Sequence, residues 1–285
     1  MHKLQTFVWY VDQAEDAAKL YLAAFKNSKM LSTMPGPGKP MGVTIDIAGT
    51  EIITFNGGPH QPLTPAISFF VTLGNEAEVD HAWKVLTDGG VELMPLDKYP
   101  FSEKFGWVQD KFGQSWQLFL SPGSTMSVSP FLLFVGPQHA RAKEALEHYT
   151  SIFKGSTIDN ITYFGAGEMG QEGTVKHGAC TILGTKLMVM DSNAPHAFNF
   201  NESQSLFVNC TTQDEVDYYW SKLGDGGTYS RCGWLADKFG VWWQIIPTAL
   251  GKALSNPDRA KAGRAMQAML KMDRIIIADI EAALV

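Results

Sequence analysis

The chain has 285 residues, 45% of them hydrophobic and 18% charged, with a formal net charge of −6. That length suits two ordinary domains with real cores, and the acidic balance offers no basic field for nucleic acid. No apolar run reaches the roughly 18 residues of a membrane span, the start lacks a signal-peptide core, and Cys180, Cys210 and Cys232 form no Cys-x-x-Cys pair, so a cytoplasmic protein with reduced thiols is expected.

The first predicted element is a strand over 4–11, built from aromatic and branched residues such as Phe7, Val8, Trp9 and Tyr10. Asp12 is placed to cap the next helix, whose Ala17, Leu20, Tyr21, Ala24 and Phe25 recur at helical spacing. A weakly signalled strand near 29–33 leads into Met34-Pro35-Gly36-Pro37-Gly38-Lys39-Pro40, a loop by composition. A lid over a pocket and a plain hairpin connection are both open readings of it. Strands at 41–48 and 51–55 follow, joined by Gly49-Thr50.

After Asn56-Gly57-Gly58-Pro59-His60 the pattern restarts with a strand over 66–73. Asn75 then caps a helix with Val79, Ala82, Trp83 and Leu86 on one face, and Gly89-Gly90 ends it. Strands at 91–93, 107–109 and 115–120 complete a second βαβββ unit. Residues 1–122 therefore read as one domain of two such units, and the small polar residues 123–129 as a linker.

The whole series then recurs over 130–250. Ala145, Tyr149 and Phe153-Lys154 match Ala17, Tyr21 and Phe25-Lys26; Gly184-Thr185 matches Gly49-Thr50; Pro195-His196 matches Pro59-His60. The clearest correspondence is Trp107-Val108-Gln109-Asp110-Lys111-Phe112-Gly113-Gln114-Ser115-Trp116-Gln117-Leu118, which returns at a constant offset of 127 (237 − 110) as Trp234 to Ile245. Asp-Lys-Phe-Gly supplies turn chemistry, since Asp bonds its own backbone and Gly tolerates positive φ. The tail, 251–285, has no first-half counterpart; a helix start at Asn256-Pro257-Asp258 leads into an apolar stripe of Ala262, Ala265, Met266, Met269 and Leu270. Packing against a sheet and a dimer contact are the two readings of that stripe.

Two βαβββ units per domain, each domain closing on Asp-Lys-Phe-Gly-x-x-Trp-Gln, resemble the vicinal oxygen chelate superfamily, which includes glyoxalase I, extradiol dioxygenases and the bleomycin and fosfomycin resistance proteins. Within it the chain is similar to the PhnB-like branch, whose members often carry the label 3-demethylubiquinone 3-methyltransferase. Cys232-Gly233-Trp234-Leu235-Ala236-Asp237-Lys238-Phe239-Gly240, Trp243-Gln244-Ile245-Ile246-Pro247 and Arg264 to Leu270 carry this in the second half, and Asn56 to His60 in the first. The resemblance implies an α+β fold of two vicinal oxygen chelate domains, each of two βαβββ units with curled mixed sheets, plus a C-terminal helical tail.

For metal-using members, the resemblance implies four inward-facing strand ligands per domain. Carried over, these positions are Thr6, roughly Ile52, Ala66 and Gln117 in the first domain, and Pro130, roughly Leu187, Ser203 and Gln244 in the second. Only the glutamines could coordinate, short of the three imidazole, carboxylate or thiolate ligands a divalent metal needs. No metal site and no cofactor is expected. Methyl transfer is also disfavoured, because no Gly-rich loop follows a strand and opens a helix.

Expected inward residues include Phe7, Trp9, Phe69, Trp107 and Trp116 in the first half, and Phe131, Phe207, Trp234 and Trp243 in the second. Strand alternation puts only half of such a set inward, and those that point inward either close the cavity as a hydrophobic core or line a site for a flat or apolar small molecule. Gln117 and Gln244 need partners or a wet pocket, since a buried amide left unpaired costs about 1–3 kcal/mol; Asn56 and Asp191, equivalent in the repeat, are the candidate partners. His60 and His196, each following a Pro in a loop, read either as solvated loop residues or as covers of a pocket mouth. The pocket candidates are thus Trp9, Asn56, His60, Trp107, Trp116, Gln117, Asp191, His196, Trp234, Trp243 and Gln244. The expected function is metal-independent small-molecule binding in the sheet concavities, with no nucleic-acid or membrane partner and a homodimer left open. The alternatives are a metal-dependent lyase, isomerase or dioxygenase, a duplication that serves assembly alone, and methyl transfer.

Overall fold

The structure is a computed structural model that describes residues 3–36, 38–59 and 61–285. The first unit is β1 (Gln5–Tyr10), α1 (Ala14–Ala24), β2 (Ser28–Met34), β3 (Gly42–Ile47) and β4 (Thr50–Asn56). The second is β5 (Ile67–Leu73), α2 (Glu76–Thr87), β6 (Val91–Tyr99), β7 (Ser102–Gln109) and β8 (Ser115–Leu120). The third is β9 (Ser127–Phe134), α3 (Ala142–Ile152), β10 (Thr157–Tyr163), β11 (Val175–Ile182) and β12 (Thr185–Asp191). The fourth is β13 (Gln204–Cys210), α4 (Gln213–Gly224), β14 (Thr228–Tyr229), β15 (Trp234–Ala236) and β16 (Trp242–Pro247); α5 (Thr248–Leu254), α6 (Arg259–Met269) and α7 (Ile277–Ala282) form the tail.

Two eight-stranded mixed sheets result, and neither follows one half of the sequence. One, sheet A, joins the first and fourth units in the order β14-β15-β16-β13-β1-β4-β3-β2; the other, sheet B, joins the second and third as β10-β11-β12-β9-β5-β8-β7-β6. The seams are antiparallel: Gln5 opposes Phe207 between β1 and β13, and Ser68 opposes Phe131 between β5 and β9. The strand β9 begins at Ser127, so the end of the polar stretch expected as a linker is already in the sheet, with Val128 buried.

The halves reappear as cores between the sheets. One core gathers α1 and α2 with Val8, Ile45 and Ile52 of sheet A and Phe69, Trp116 and Leu118 of sheet B. The other gathers α3 and α4 with Leu132 and Val189 of sheet B and Leu206 and Trp243 of sheet A. The helices therefore lie between the sheets, and the remaining strand faces turn outward. Those outward faces are concave. Rings of Phe7 on β1 and Trp234 on β15 sit 5.5 Å apart, although three strand spacings, about 14 Å if flat, separate their strands. On sheet B, Phe70 on β5 and His177 on β11 are 6.5 Å apart across the same span.

Helix starts differ from the sequence expectation in one respect. The Asn75 side chain caps α2 through Glu78 N, as its position predicts, and Thr212 caps α4 through Glu215 N. Asp12 does not cap α1. That helix has no side-chain cap from its own N-cap residue; instead Asn56 at the end of β4 accepts from Ala14 N at 2.8 Å. The equivalent Asp191 accepts from Ala142 N of α3 at 3.1 Å. Asn56 also donates to Pro40 O at 2.9 Å, so the described part of the Pro/Gly loop is a hairpin connection clasped to β4. The tail packs on the end of β16 through Ile246, Leu250, Ala265, Ile275 and Ile280, and its backbone takes bonds from Cys232 N and Gly233 N.

Candidate functional site

The repeated Asp-Lys-Phe-Gly motif is a structural clasp. Asp237 Oδ1 accepts from Phe239 N and Val241 N, closing the β15–β16 hairpin, while Oδ2 accepts from Tyr149 Oη at 2.7 Å and Trp243 Nε1 at 2.8 Å. Asp110 repeats this with Phe112 N, Gln114 N and Trp116 Nε1. Burial pushes both carboxyls up to about 6, against the lowering effect of those donors. Trp116 and Trp243 are fully buried on the helix side of their sheets. They are core residues, correcting their expected place in a pocket, and Phe69 joins them. The reason is parity: Trp116 and Gln117 are consecutive on a strand, so when Gln117 faces out Trp116 must face in.

Asn56 and Asp191 are also corrected. They bond to helix N-termini and neither partners a glutamine. Burial raises the Asp191 carboxyl, with the backbone donors opposing. Each glutamine instead finds a serine on the neighbouring parallel strand: Gln117 Nε2 donates to Ser68 Oγ at 2.8 Å, and Gln244 Nε2 to Ser205 Oγ at 2.9 Å. Their carbonyl oxygens accept no bond from the described residues and are not sealed from solvent. His60 lies outside the described residues. His196 bonds Ser192 Oγ at 2.8 Å and packs on Phe198, which covers part of the outer face of sheet B; burial lowers its pKa.

On sheet A the outward residues are Gln5, Phe7 and Trp9 of β1, Glu51, Ile53 and Phe55 of β4, Ser205, Phe207 and Asn209 of β13, and Trp234, Trp242 and Gln244 beyond. Trp9, Phe55, Trp234 and Trp242 are half-buried. Their rings pack edge to face, Trp9 5.8 Å from both Phe55 and Trp234, and each ring stays partly exposed. Trp9 donates to Gly58 O at 3.1 Å and lies where a Cβ on Gly57 would be, 2.0 Å away. Beside this patch runs a relay that sequence reasoning missed. Asn209 Nδ2 donates to Gln5 Oε1 at 2.7 Å, and Gln5 Nε2 donates to Glu51 Oε2 at 2.5 Å. Alternation from Trp9 back to Gln5, and from Phe55 back to Glu51, was the signal that could have found it.

Sheet B diverges at the same places. Its concavity is floored by Phe131, Leu133, Val135, Ala179 and Met188, with Phe70, Trp107, Met190 and Phe198 packed on them. Trp107 Nε1 is tied to Ser115 Oγ at 2.6 Å. Burial first, and Lys186 second, lower the His177 pKa.

A metal of the kind the resemblance implies does not fit either face. Ile52 and Leu187 lie in the helix-side cores, as does Thr6 with its hydroxyl unpaired. A shift of one residue along a strand reverses the face. At the outward neighbours Gln5, Glu51, Ser205 and Gln244 a single carboxylate is present, and among the described residues no group of three His, Cys, Asp or Glu could hold an ion.

This architecture, two sheets of paired βαβββ units with helices between them, is that of a duplicated vicinal oxygen chelate protein. The family model described as 3-demethylubiquinone-9 3-methyltransferase matches twice, over residues 2–119 and 126–246, and the chain belongs to that family. A PhnB protein from Bacillus cereus, described in the same terms, is 37% identical over 42% of this chain and all of its own, with a TM-score of 0.40. Glyoxalase I from Zea mays is 10% identical, covers 85% of this chain and 90% of its own, and has a TM-score of 0.56, a likeness of fold. No curated protein matches. The family description names methyl transfer, but the strand-to-helix connections at Val11-Asp12-Gln13, Gly74-Asn75 and Thr211-Thr212, and the 135–141 connection with its single glycine, are not Gly-rich loops of the kind that cradles a dinucleotide-like cofactor.

Proposed function

We propose that this protein binds a small molecule without a metal, on the concave outer face of sheet A. One observation carries the reading: the half-buried rings of Trp9, Phe55, Trp234 and Trp242 share a curled face with Gln244, whose carbonyl oxygen has no bonded partner among the described residues. Aromatic faces give a ligand apolar contact, and a few fixed polar atoms orient it. Sheet B is the weaker site, because Phe198, from outside its strands, packs on the floor of the concavity as well.

A thermal-shift screen against a panel of flat apolar metabolites and drugs tests this, with Trp234→Ala as the control. At least one compound should stabilise the native protein and lose its effect in W234A; a panel without any stabiliser would sink the proposal. Among the described residues no helix is long and apolar enough to cross a membrane. We place the protein in the cytoplasm, in keeping with three free cysteines, two of them buried with thiols pushed up to about 12.

A further inference from the structure

The two concave faces carry the same glutamine–serine pair but opposite charge, and this assigns a ligand class to sheet A. We infer that the sheet A face selects a flat organic cation bearing N–H donors. The inference rests on the concave-face reading above and narrows it.

Equivalent positions on the two sheets differ in chemistry. Asn56 and Asp191 fix an offset of 135 (191 − 56), which places Lys186 where sheet A has Glu51. Tyr10 O and Phe134 O accept equivalent bonds from Gly57 N and Ser192 N, an offset of 124 (134 − 10). Ser129 thus stands for Gln5, and Leu133 for Trp9. The serine pair gives 137 (205 − 68), so Thr72 stands for Asn209. Every member of the relay that orients Glu51 is therefore missing from sheet B, and the acid is replaced by a base.

On sheet A, the relay Asn209 to Gln5 to Glu51 fixes one carboxylate oxygen, while the other accepts nothing from the described residues. Gln5, Phe207, Gln244 and Trp234 lie along one cross-strand row, with Glu51 bonded to its end. Gln244 and Glu51 each offer an acceptor on this row, beside the single indole donor of Trp234. Of the neighbouring charges, Lys3 is tied to Gly49 O at 2.8 Å, and Lys29 and Asp46 oppose each other across β2 and β3 and offset one another. A carboxylate fixed through one oxygen, on the same face as the half-buried indole rings, favours a cation, which gains from the negative ring faces as well as from the carboxylate.

Isothermal titration at neutral pH with 9-aminoacridine, a flat cation, and acridine, an uncharged ring of the same outline, tests the inference. The wild type should bind the cation about tenfold more tightly than acridine. Glu51→Gln should erase that preference with acridine binding unchanged, since the amide oxygen of the substituted side chain can still accept from Gln5 and keep the fold. Lys186→Gln should leave the preference intact. Equal affinity for both rings, or a preference that survives E51Q, overturns the cation inference while leaving the concave-face reading standing. A preference altered by K186Q places the ligand on sheet B and overturns it as well. If neither ring binds the wild type, the sheet A site falls and the cation inference with it.

Discussion

The indole Nε1 of Trp243 donates to Asp237 Oδ2 over 2.8 Å inside the core. Asp237 also accepts from Tyr149 and from two backbone amides, so one buried carboxylate holds a hairpin, a strand and α3 together. Asparagine has one acceptor oxygen, and its amide group would meet donors. Asp237→Asn should therefore cost about 3 kcal/mol or more, because buried groups lose their partners. Urea denaturation followed by circular dichroism measures this; a midpoint within error of wild type would refute the clasp.

The same carboxyl gives a pH signature. Its folded pKa, about 6, lies above the ordinary 3.8. The folded state then binds the proton more readily than the unfolded chain, so this group's contribution is greatest below about 4 and is lost as pH rises through about 6. The stability gap between wild type and D237N should widen as pH falls from 7 towards 4, by up to about 2–3 kcal/mol. Titrating histidines are common to both proteins and cancel in that difference. A gap that is constant with pH contradicts the raised pKa.

Gly57 is a contact residue for Trp9. A Cβ there would sit 2.0 Å from the indole, so Gly57→Ala should displace Trp9 and cost about 1–3 kcal/mol through overpacking. Loss of ligand-induced stabilisation alongside a changed near-ultraviolet spectrum is the expected result. Unaltered aromatic signals would show that Trp9 has another place to go.

The Gln244–Ser205 pair should behave non-additively. Ser205→Ala leaves the Gln244 amide without its acceptor and should cost about 1–2 kcal/mol, whereas adding Gln244→Met should recover most of that loss. Denaturation of the two single variants and the double variant closes the cycle. Strict additivity would mean that the 2.9 Å bond contributes little.

Cys180 and Cys210 are buried with thiols pushed up to about 12, while Cys232 is only half-buried. Alkylation of the native protein should modify Cys232 first, leaving the other two for the unfolded chain. Peptide mapping by mass spectrometry reads the order, and early loss of Cys180 would argue against the core around α3 and α4, of which it is a member.

Much of the candidate site was legible in part. Trp9, Trp107, Trp234, Gln117 and Gln244 all lie on outward faces, and the Ser-x-Phe stretches that supply their serine partners are visible at Ser68 and Ser205. Trp116 and Trp243 were misplaced because composition does not reveal strand parity, and a single-residue shift moves an indole from pocket to core. Gln5 and Glu51 passed unnoticed because neither belongs to a repeated motif; their meaning depends on β1 lying beside β4.

The sequence by itself determined the duplication, the βαβββ grammar and the hairpins closed by Asp110 and Asp237, all of which rest on local spacing and turn chemistry. Only the tertiary structure decided that the first unit joins the fourth and the second joins the third. Four similar units can pair in more than one way with the same local pattern. The choice is made by non-local contacts, such as Gln5 opposite Phe207 and Thr50 bonding Val128 across the sheets, which leave no mark in any one stretch of chain.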